Sequence, residues 1–228
     1  MPTRSSVLSA VASLAAVSVA AQQTPDLTPY LMSDRAAEIA LARSALPKPV
    51  ADSATVLVLT KSGYVVAEQG TNGFTCMVQH SFDGDIHGPG VWNVNLRGPI
   101  CLNPPATRTV LPEMRKRAEW VMAGVSPNEI SVRTKQAYAS HEFPVPAPGA
   151  MAFMLSPEQH LSDTRPHWMP HLMFFYDHAI PAATWGVSGV TSTIIDGSAL
   201  DPDAQMTVIL IPVRKWSDGK LALPDSAK

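Results

Sequence analysis

The sequence has few charged residues, no excess of basic ones and only two cysteines, and each shortage excludes a class of protein. Charged side chains make up 16% of the 228 residues, and 17 Lys and Arg oppose 19 Asp and Glu for a formal net charge of -2. Nucleic-acid binding through surface charge requires clustered Lys and Arg. A disulfide-rich scaffold requires many more cysteines. We therefore expect neither a nucleic-acid partner nor a disulfide-dense module.

The sequence also has no long apolar run beyond its first 21 residues. Residues 1–21 begin with one early cation, Arg4, continue through a short stretch rich in Ala, Val and Ser, and end on Val19-Ala20-Ala21. This order is typical of a secretory signal peptide with its cleavage site. A membrane span needs about 20 mainly apolar residues, which this stretch does not supply. We expect a soluble protein, secreted or periplasmic, with no membrane anchor once the signal peptide is removed.

The two cysteines, Cys76 and Cys101, are expected to form a disulfide. An even cysteine count in an exported chain favours pairing. Closing the loop between them would stabilise the fold by roughly 3 kcal/mol, because the unfolded chain loses entropy. The alternative is a free Cys76 that acts as a nucleophile with a histidine as its base.

The first part of the chain predicts a leader, a helix and three strands. Residues 22–29 are expected to be extended, and a helix is expected to open at Ser33 and to end at Leu46-Pro47. The apolar runs 54–60, 64–69 and 74–78 follow, and the last two are joined by Asn72-Gly73. Because Asn-Gly is a strong hairpin signal, these runs predict a three-stranded antiparallel meander.

The rest of the chain predicts a long loop, two helices and three more strands. Residues 80–108 are rich in Gly, Pro and Asn and indicate an irregular loop. Helix signals between 110 and 140, including the capping sequence Ser126-Pro127-Asn128-Glu129, predict a helical hairpin. Strands are expected at 150–155, 171–176 and 206–213. The chain is therefore expected to form one α+β domain, residues 30–228, with an antiparallel sheet, an N-terminal helix and a helical hairpin.

Histidines concentrate in one segment, which makes it the strongest candidate for chemistry. The segment 160–178 contains four of the seven histidines and two aspartates: His160, His167, His171, His178, Asp163 and Asp177. Imidazole and carboxylate groups are ligands that zinc and copper accept. In an extended chain, residues 167, 169, 171 and 173 would place His, Met, His and Met on one face, a set suited to copper. The candidate metal ligands are His167 and His171, with Asp163 or His178 as a third.

A purely structural interpretation of this segment stands beside the metal site. The spacing matches no strong metal motif, and Pro170 argues against a helix that would place His167 and His171 one turn apart. The run 171–176 is what a buried strand needs, and a histidine there is more often a hydrogen-bonded core residue than a ligand.

Two other short sequences carry weak signals. Asp83-Gly84-Asp85 resembles the start of a calcium loop but lacks the further oxygen ligands, so it predicts a solvated turn. Gly186-Val187-Ser188-Gly189-Val190 differs from the Gly-x-Ser-x-Gly sequence of serine hydrolases at its last residue.

Five phrases together resemble a family of exported bacterial proteins that is itself uncharacterised. The phrases are TNGFTC at 71–76, PICLNP at 99–104, GAMAFMLS at 149–156, HWMPHLMFF at 167–175 and WSDG at 216–219. The resemblance covers most of the chain and implies export, but it implies no activity and no cofactor. Relatives in that family often have histidine in place of Met169, which would favour His167 and His171 over a thioether ligand.

Two functions follow from these observations. The first is an exported binding or structural protein, whose small-molecule or metal ligand would occupy a pocket between the 80–108 loop and the His-rich segment. The alternative is a metal-dependent hydrolase, in which zinc or copper held by His167, His171 and Asp163 or His178 activates a water molecule.

Overall fold

The computed structural model describes residues 26–164, 168–177, 180–186, 194–198, 203 and 205–222. The predicted signal peptide, 1–21, lies outside these ranges, and the end of the expected leader contributes to a 3-10 turn, Thr28–Tyr30. In chain order the described helices and strands are α1 (Arg35–Arg43), α2 (Lys48–Ala51), β1 (Thr55–Thr60), β2 (Gly63–Glu68), β3 (Thr75–Gln79), β4 (Gly98–Leu102), α3 (Pro104–Thr109), α4 (Leu111–Met122), α5 (Pro127–Ala139), β5 (Met151–Met154), β6 (His171–Asp177), β7 (Ile195–Asp196) and β8 (Met206–Pro212). None of the helices in these ranges is long and apolar enough to cross a membrane.

The eight strands form one mixed sheet in the order β2-β1-β3-β4-β5-β6-β8-β7. Strands β1 and β3 pair in parallel, whereas the other neighbouring pairs are antiparallel. The α+β class is therefore confirmed, but the prediction of an antiparallel sheet is wrong.

The error lies in the predicted meander of the first three strands. The Asn72-Gly73 turn does not join β2 to β3 as a hairpin. It packs back on the residues before β1, where the Thr71 amide donates to the Ser53 carbonyl and the Asn72 side chain donates to the Val50 carbonyl. The crossover is close enough that a Cβ on Gly70 would lie 2.2 Å from the Thr55 nitrogen.

Burial explains why β3 lies inside the sheet and β2 lies at its edge. Residues 75–78 of β3 are all buried, whereas β2 leaves Val65 and Val66 exposed. A continuous apolar run is suited to a central strand with both faces covered, and a partly polar run is suited to an edge. The hairpin signal of Asn72-Gly73 was thus outweighed by the burial that β3 requires.

The predicted 80–108 loop contains a strand and a helix. Strand β4, which is buried throughout, pairs with β3, and α3 follows with Asn103 as its N-cap, accepting from the Ala106 amide at 3.1 Å. Pro99 made this strand hard to predict, because proline is rare in central strands. The prediction of a structureless loop is wrong for residues 98–108.

The other helix signals correspond to helices of the structure. Helix α1 differs slightly from the expectation of a start at Ser33 and an end at Leu46, because Asp34 is its cap, accepting from the Ala36 and Ala37 amides, and it ends at Arg43. Ser126 caps α5 as predicted, by accepting from the Glu129 amide. Helix α4 begins at Leu111 and is followed by Gly124 with a φ of 74°. The hairpin arrangement expected of α4 and α5 stays a prediction.

Helices cover the two faces of the sheet. One face of β1, β3 and β4 packs with α1 and α2 around a small apolar cluster that includes Ala42, Val56 and Val78. The larger core lies on the other face and includes residues of α3, α4 and α5.

A disulfide joins Cys76 to Cys101, as the sequence predicts. The two residues lie directly opposite each other on β3 and β4, and both are fully buried. The alternative of a free nucleophilic Cys76 is therefore wrong. The bridge ties together the two strands that flank residues 80–97.

Candidate functional site

A pocket of about 940 Å³ lies on the face of the sheet opposite α1 and α2. Its floor includes alternate residues of β6 and β8, because every second side chain of a strand points to the same face. These floor residues are His171, Met173, Phe175, Met206, Val208 and Leu210. The walls come from residues within 79–90, from the first turn of α4, and from Leu161, Ser162, Thr164 and Trp168. The volume is within the range of small-molecule sites, about 300–1,000 Å³.

The pocket wall is mainly apolar and unusually rich in methionine. Four methionines line it: Met114, Met154, Met173 and Met206. Thioether side chains are unbranched and flexible, so they can adjust to ligands of different shape. The wall can therefore accommodate apolar groups of different shapes.

A 3-10 turn, Ser81–Asp83, brings a buried carboxyl group to the pocket. Oδ2 of Asp83 accepts from the Tyr64 hydroxyl at 2.5 Å and from the His80 amide at 2.7 Å. Oδ1 of Asp83 is buried and has no hydrogen-bond partner among the described residues. The predicted solvated turn is therefore wrong for Asp83, although Asp85 is exposed and accepts from the His87 amide.

Burial governs the ionisation of Asp83. It raises the pKa of the carboxyl to about 7, although the His80 amide, the Tyr64 hydroxyl and the Arg117 charge oppose the rise. Near neutral pH a substantial fraction of Asp83 is therefore protonated, and the group can donate or accept a hydrogen bond.

His80 contributes a second polar group without a partner. Its side chain is 2% exposed, and its Nδ1 lies 3.2 Å from Nη1 of Arg97. Burial, with a smaller effect of the Arg97 charge, lowers the pKa of His80 to about 3, so the ring is neutral. Because a guanidinium group can only donate, Nδ1 accepts and the proton resides on Nε2. That Nε2 is buried and has no partner in the part of the chain that the structure describes.

Glu113, in the first turn of α4, completes the polar end of the pocket, which we define as His80, Asp83 and Glu113. The residue is 2% exposed, and Oε2 accepts from the Tyr138 hydroxyl at 2.7 Å. Oε1 lies 3.7 Å from Nη1 of Arg117 and accepts no hydrogen bond from the described residues. Burial raises the pKa of Glu113 above its usual range.

Arg117 supplies positive charge behind the polar end without lining the pocket. It lies between two carboxyl groups. Its Nη1 is 3.7 Å from Oε1 of Glu113, and its Nη2 is 3.9 Å from Oδ2 of Asp203. Asp203 in turn contacts Nε2 of His87 at 2.9 Å. One guanidinium therefore serves both Glu113 and Asp203, and it also acts on Asp83.

The lining has carboxyl groups but no basic counterpart. Among the described residues, Asp83, Asp85, Glu113 and Asp196 line the pocket, and no lysine or arginine does. The raised pKa values of Asp83 and Glu113 and the Arg117 guanidinium behind Glu113 reduce the negative charge of this wall.

The predicted metal ligands are only partly within the described residues. His171 lies on the pocket floor, 2% exposed, with Nδ1 donating to the Met169 carbonyl at 3.0 Å and with its pKa lowered to about 4 by burial. Asp163 instead contacts His160 at 3.0 Å and Asn93 at 2.9 Å. His167 and His178 lie outside the described ranges.

The metal hypothesis has no support from the described residues. Among them, no group of three or more His, Cys, Asp or Glu side chains is placed to hold an ion. The predicted set of ligands at 167, 169, 171 and 173 requires one extended strand over all four positions. Strand β6 begins only at His171, and Met169, which precedes it, is 42% exposed. Because His167 and His178 lie outside the described ranges, the zinc or copper site stays a prediction.

The polar end was not predicted from the sequence. Glu113 follows Pro112 and has the usual position of an acidic residue in a first helical turn. His80 follows an apolar strand and carries no motif. The only signal was indirect, because the loop after β3 was expected to border a binding pocket.

Comparisons with protein-family models, with curated proteins and with solved structures found no match. The resemblance to exported bacterial proteins therefore stays a prediction.

Proposed function

We propose that this is an exported binding protein, which holds a small molecule with a mainly apolar body in the pocket between the loop after β3 and the segment before β6. The observation that carries the proposal is a pocket of about 940 Å³ with a floor of mainly apolar strand residues. Protein interiors are normally close-packed, with few voids larger than a water molecule. A space of this size and composition is typical of a ligand site.

Buried polar atoms that make no hydrogen bond at one end of the pocket support the same function. His80 Nε2, Asp83 Oδ1 and Glu113 Oε1 are buried without a hydrogen bond from the described residues. Most buried polar groups in native proteins are hydrogen-bonded, because desolvation without a partner costs about 1–3 kcal/mol. A ligand with a polar group at one end would supply partners here.

Export is part of the proposal. The signal peptide predicted at residues 1–21 and the resemblance of the five phrases both favour it. A buried disulfide agrees with an oxidising compartment, such as the periplasm or the exterior.

Titration with a neutral apolar dye tests the binding function. N-phenyl-1-naphthylamine fluoresces strongly in apolar surroundings, and we expect it to bind the wild-type protein with saturation at one site. The variant Met173→Trp fills the pocket floor and should weaken dye binding at least tenfold. Absence of saturable dye binding to the folded wild-type protein would contradict the proposal.

A matched control separates occupation of the pocket from damage to the strand. Leu172 precedes Met173 in β6, points to the other face and is likewise partly buried. Leu172→Trp should leave dye affinity within twofold of the wild-type value when both proteins are folded by circular dichroism. Equal loss in both variants would show that the dye does not occupy the pocket.

A further inference from the structure

The two buried histidines of the pocket lining differ in the partner of their ring proton. His80 and His171 are each 2% exposed, and burial lowers the pKa of His80 to about 3 and that of His171 to about 4, so both rings are neutral. His171 donates its Nδ1 proton to the Met169 carbonyl at 3.0 Å. His80 instead accepts at Nδ1 from Arg97 at 3.2 Å, so its proton resides on Nε2. That N–H is buried and meets no acceptor among the described residues.

The His80 ring is held in place by its neighbours. It stacks on Phe82 with ring centroids 5.5 Å apart and planes 14° apart, and Tyr30 packs at 83° to it with centroids 6.0 Å apart. Arg97, which contacts Nδ1, is itself fixed by donating to the Val94 carbonyl at 2.8 Å. A flip of the ring would break the contact with Arg97. The Nε2–H of His80 is therefore a preorganised donor at a residue that lines the pocket.

The chemistry of the pocket limits which group can serve this donor. An ammonium group can only donate, so it cannot accept from Nε2–H. A carboxylate can accept, but among the described residues no lysine or arginine lines the pocket, and moving an anion from water to a mainly apolar site without a counter-charge is costly. A neutral oxygen acceptor has a much smaller desolvation cost. The donor and the lining together favour an uncharged acceptor.

We propose that the ligand carries a neutral carbonyl group on its apolar body, as a long-chain ketone does in the simplest case, and that Nε2–H of His80 donates a hydrogen bond to the carbonyl oxygen. The inference rests on the proposed binding function and adds the class of ligand. The methionine-rich wall surrounds the alkyl part of the ligand. The carbonyl oxygen supplies the acceptor that the buried N–H does not find among the described residues.

Three probes of similar length test the inference by competition with the bound dye at pH 8. The first is 2-nonanone, the second is 2-methyl-1-nonene, in which a CH₂ group replaces the carbonyl oxygen, and the third is nonanoate. At this pH, above the Asp83 pKa of about 7, the Asp83 carboxyl is mainly ionised and cannot donate in place of His80. We expect nonanoate to bind at least tenfold more weakly than 2-nonanone.

Two variants of His80 locate the hydrogen bond. His80→Phe removes the donor and should lower the ketone-to-alkene affinity ratio about fivefold, as expected for the loss of one neutral hydrogen bond. The ratio cancels changes of pocket shape that act on both probes alike. His80→Gln is the matched control, because its amide has an N–H for the ketone and an oxygen that can accept from Arg97. It should keep the ratio within twofold of wild type.

A measurement on the wild-type protein keeps the test open if His80→Phe fails to fold. The ¹³C resonance of carbonyl-labelled 2-nonanone moves to higher chemical shift when the oxygen accepts a hydrogen bond. We expect the bound ketone to have a shift nearer to its value in methanol than to its value in hexane. A shift equal to that in hexane would contradict the hydrogen bond.

The outcomes separate the two proposals. If the dye and both uncharged probes bind but His80→Phe leaves the ratio unchanged, the carbonyl ligand is wrong and the apolar pocket stands. Loss of the ratio in His80→Gln to the same extent as in His80→Phe, or nonanoate that binds as tightly as the ketone, would also overturn the inference. If neither the dye nor any probe binds, the binding function fails and the inference with it.

Discussion

The two faces of the sheet are both covered, but they are filled differently. On the face that packs against α1 and α2, small side chains and the Cys76–Cys101 bridge occupy the space between layers. On the opposite face, β4, β6 and β8 border a pocket of about 940 Å³ whose polar end holds buried atoms that make no hydrogen bond with the described residues. The comparison indicates that one face stabilises the fold and the other is available for a ligand.

The two buried glutamates illustrate the difference. Glu38 of α1 is 2% exposed, and its Oε1 accepts from the Leu59 amide at 2.8 Å. Glu113 is equally buried, but its Oε1 borders the pocket without a hydrogen bond from the described residues. Glu38 links a helix to a strand by a hydrogen bond, whereas Oε1 of Glu113 has only the more distant charge of Arg117, 3.7 Å away.

The largest expected effect comes from removing the disulfide of the closed face. The double variant Cys76→Ala/Cys101→Ala should lower the free energy of unfolding by about 3 kcal/mol, because the unfolded chain regains entropy. Urea denaturation measures it. Dye affinity at a temperature where the variant is folded should stay within threefold of wild type. Loss of less than about 1 kcal/mol would show that the bridge is not a main support of this face.

A second prediction concerns the pH dependence of the pocket face. The pKa of Asp83 is raised to about 7 in the folded state from an ordinary value of 3.8. The folded state therefore binds a proton more tightly than the unfolded chain, and the Asp83 contribution to stability falls as the pH rises from about 4 to about 7.

The variant Asp83→Asn tests that dependence. Asparagine keeps an acceptor for Tyr64 and the His80 amide but cannot ionise, while Arg117 and the other groups around it are unchanged. Relative to wild type, its unfolding free energy should rise by about 2 kcal/mol between pH 5 and pH 8. Urea denaturation of both proteins at each pH measures this difference. A constant difference across that range would contradict the buried ionisable carboxyl.

The smallest expected effect is the difference in stability between equal truncations on the two faces. Val56→Ala on the closed face leaves a void in a packed cluster and should cost about 2 kcal/mol, whereas Val208→Ala only enlarges the existing pocket and should cost about half as much. Chemical denaturation of both variants gives the comparison. Equal costs would indicate that the pocket closes up in solution.

The helices were easier to predict from the sequence than the order of strands in the sheet. Caps act locally, so a few neighbouring residues are enough to predict the Ser126 cap of α5 and to place the start of α1 within one residue, at Ser33 where the cap is Asp34. Strand order depends on partners far along the chain. The Asn72-Gly73 signal was correct for a turn, but it could not tell which strand β3 would join.

The site was harder to predict because its residues come from separate elements. His80 follows β3, Glu113 opens α4, and the floor comes from β6 and β8, and none of these positions carries a motif. The sequence did predict the two segments that border the pocket, which are the loop after β3 and the His-rich segment. The chemistry assigned to the second segment, a metal site, has no support from the described residues.

The most direct test of the binding pocket is a methyl NMR titration of methyl-labelled methionines with N-phenyl-1-naphthylamine. Met114, Met154, Met173 and Met206 line the pocket, whereas Met32, Met122 and Met169 do not. We expect the first four resonances to shift with saturation at one equivalent while the others stay in place. Saturating shifts confined to Met169 or Met32, or no shifts at all, would contradict this expectation.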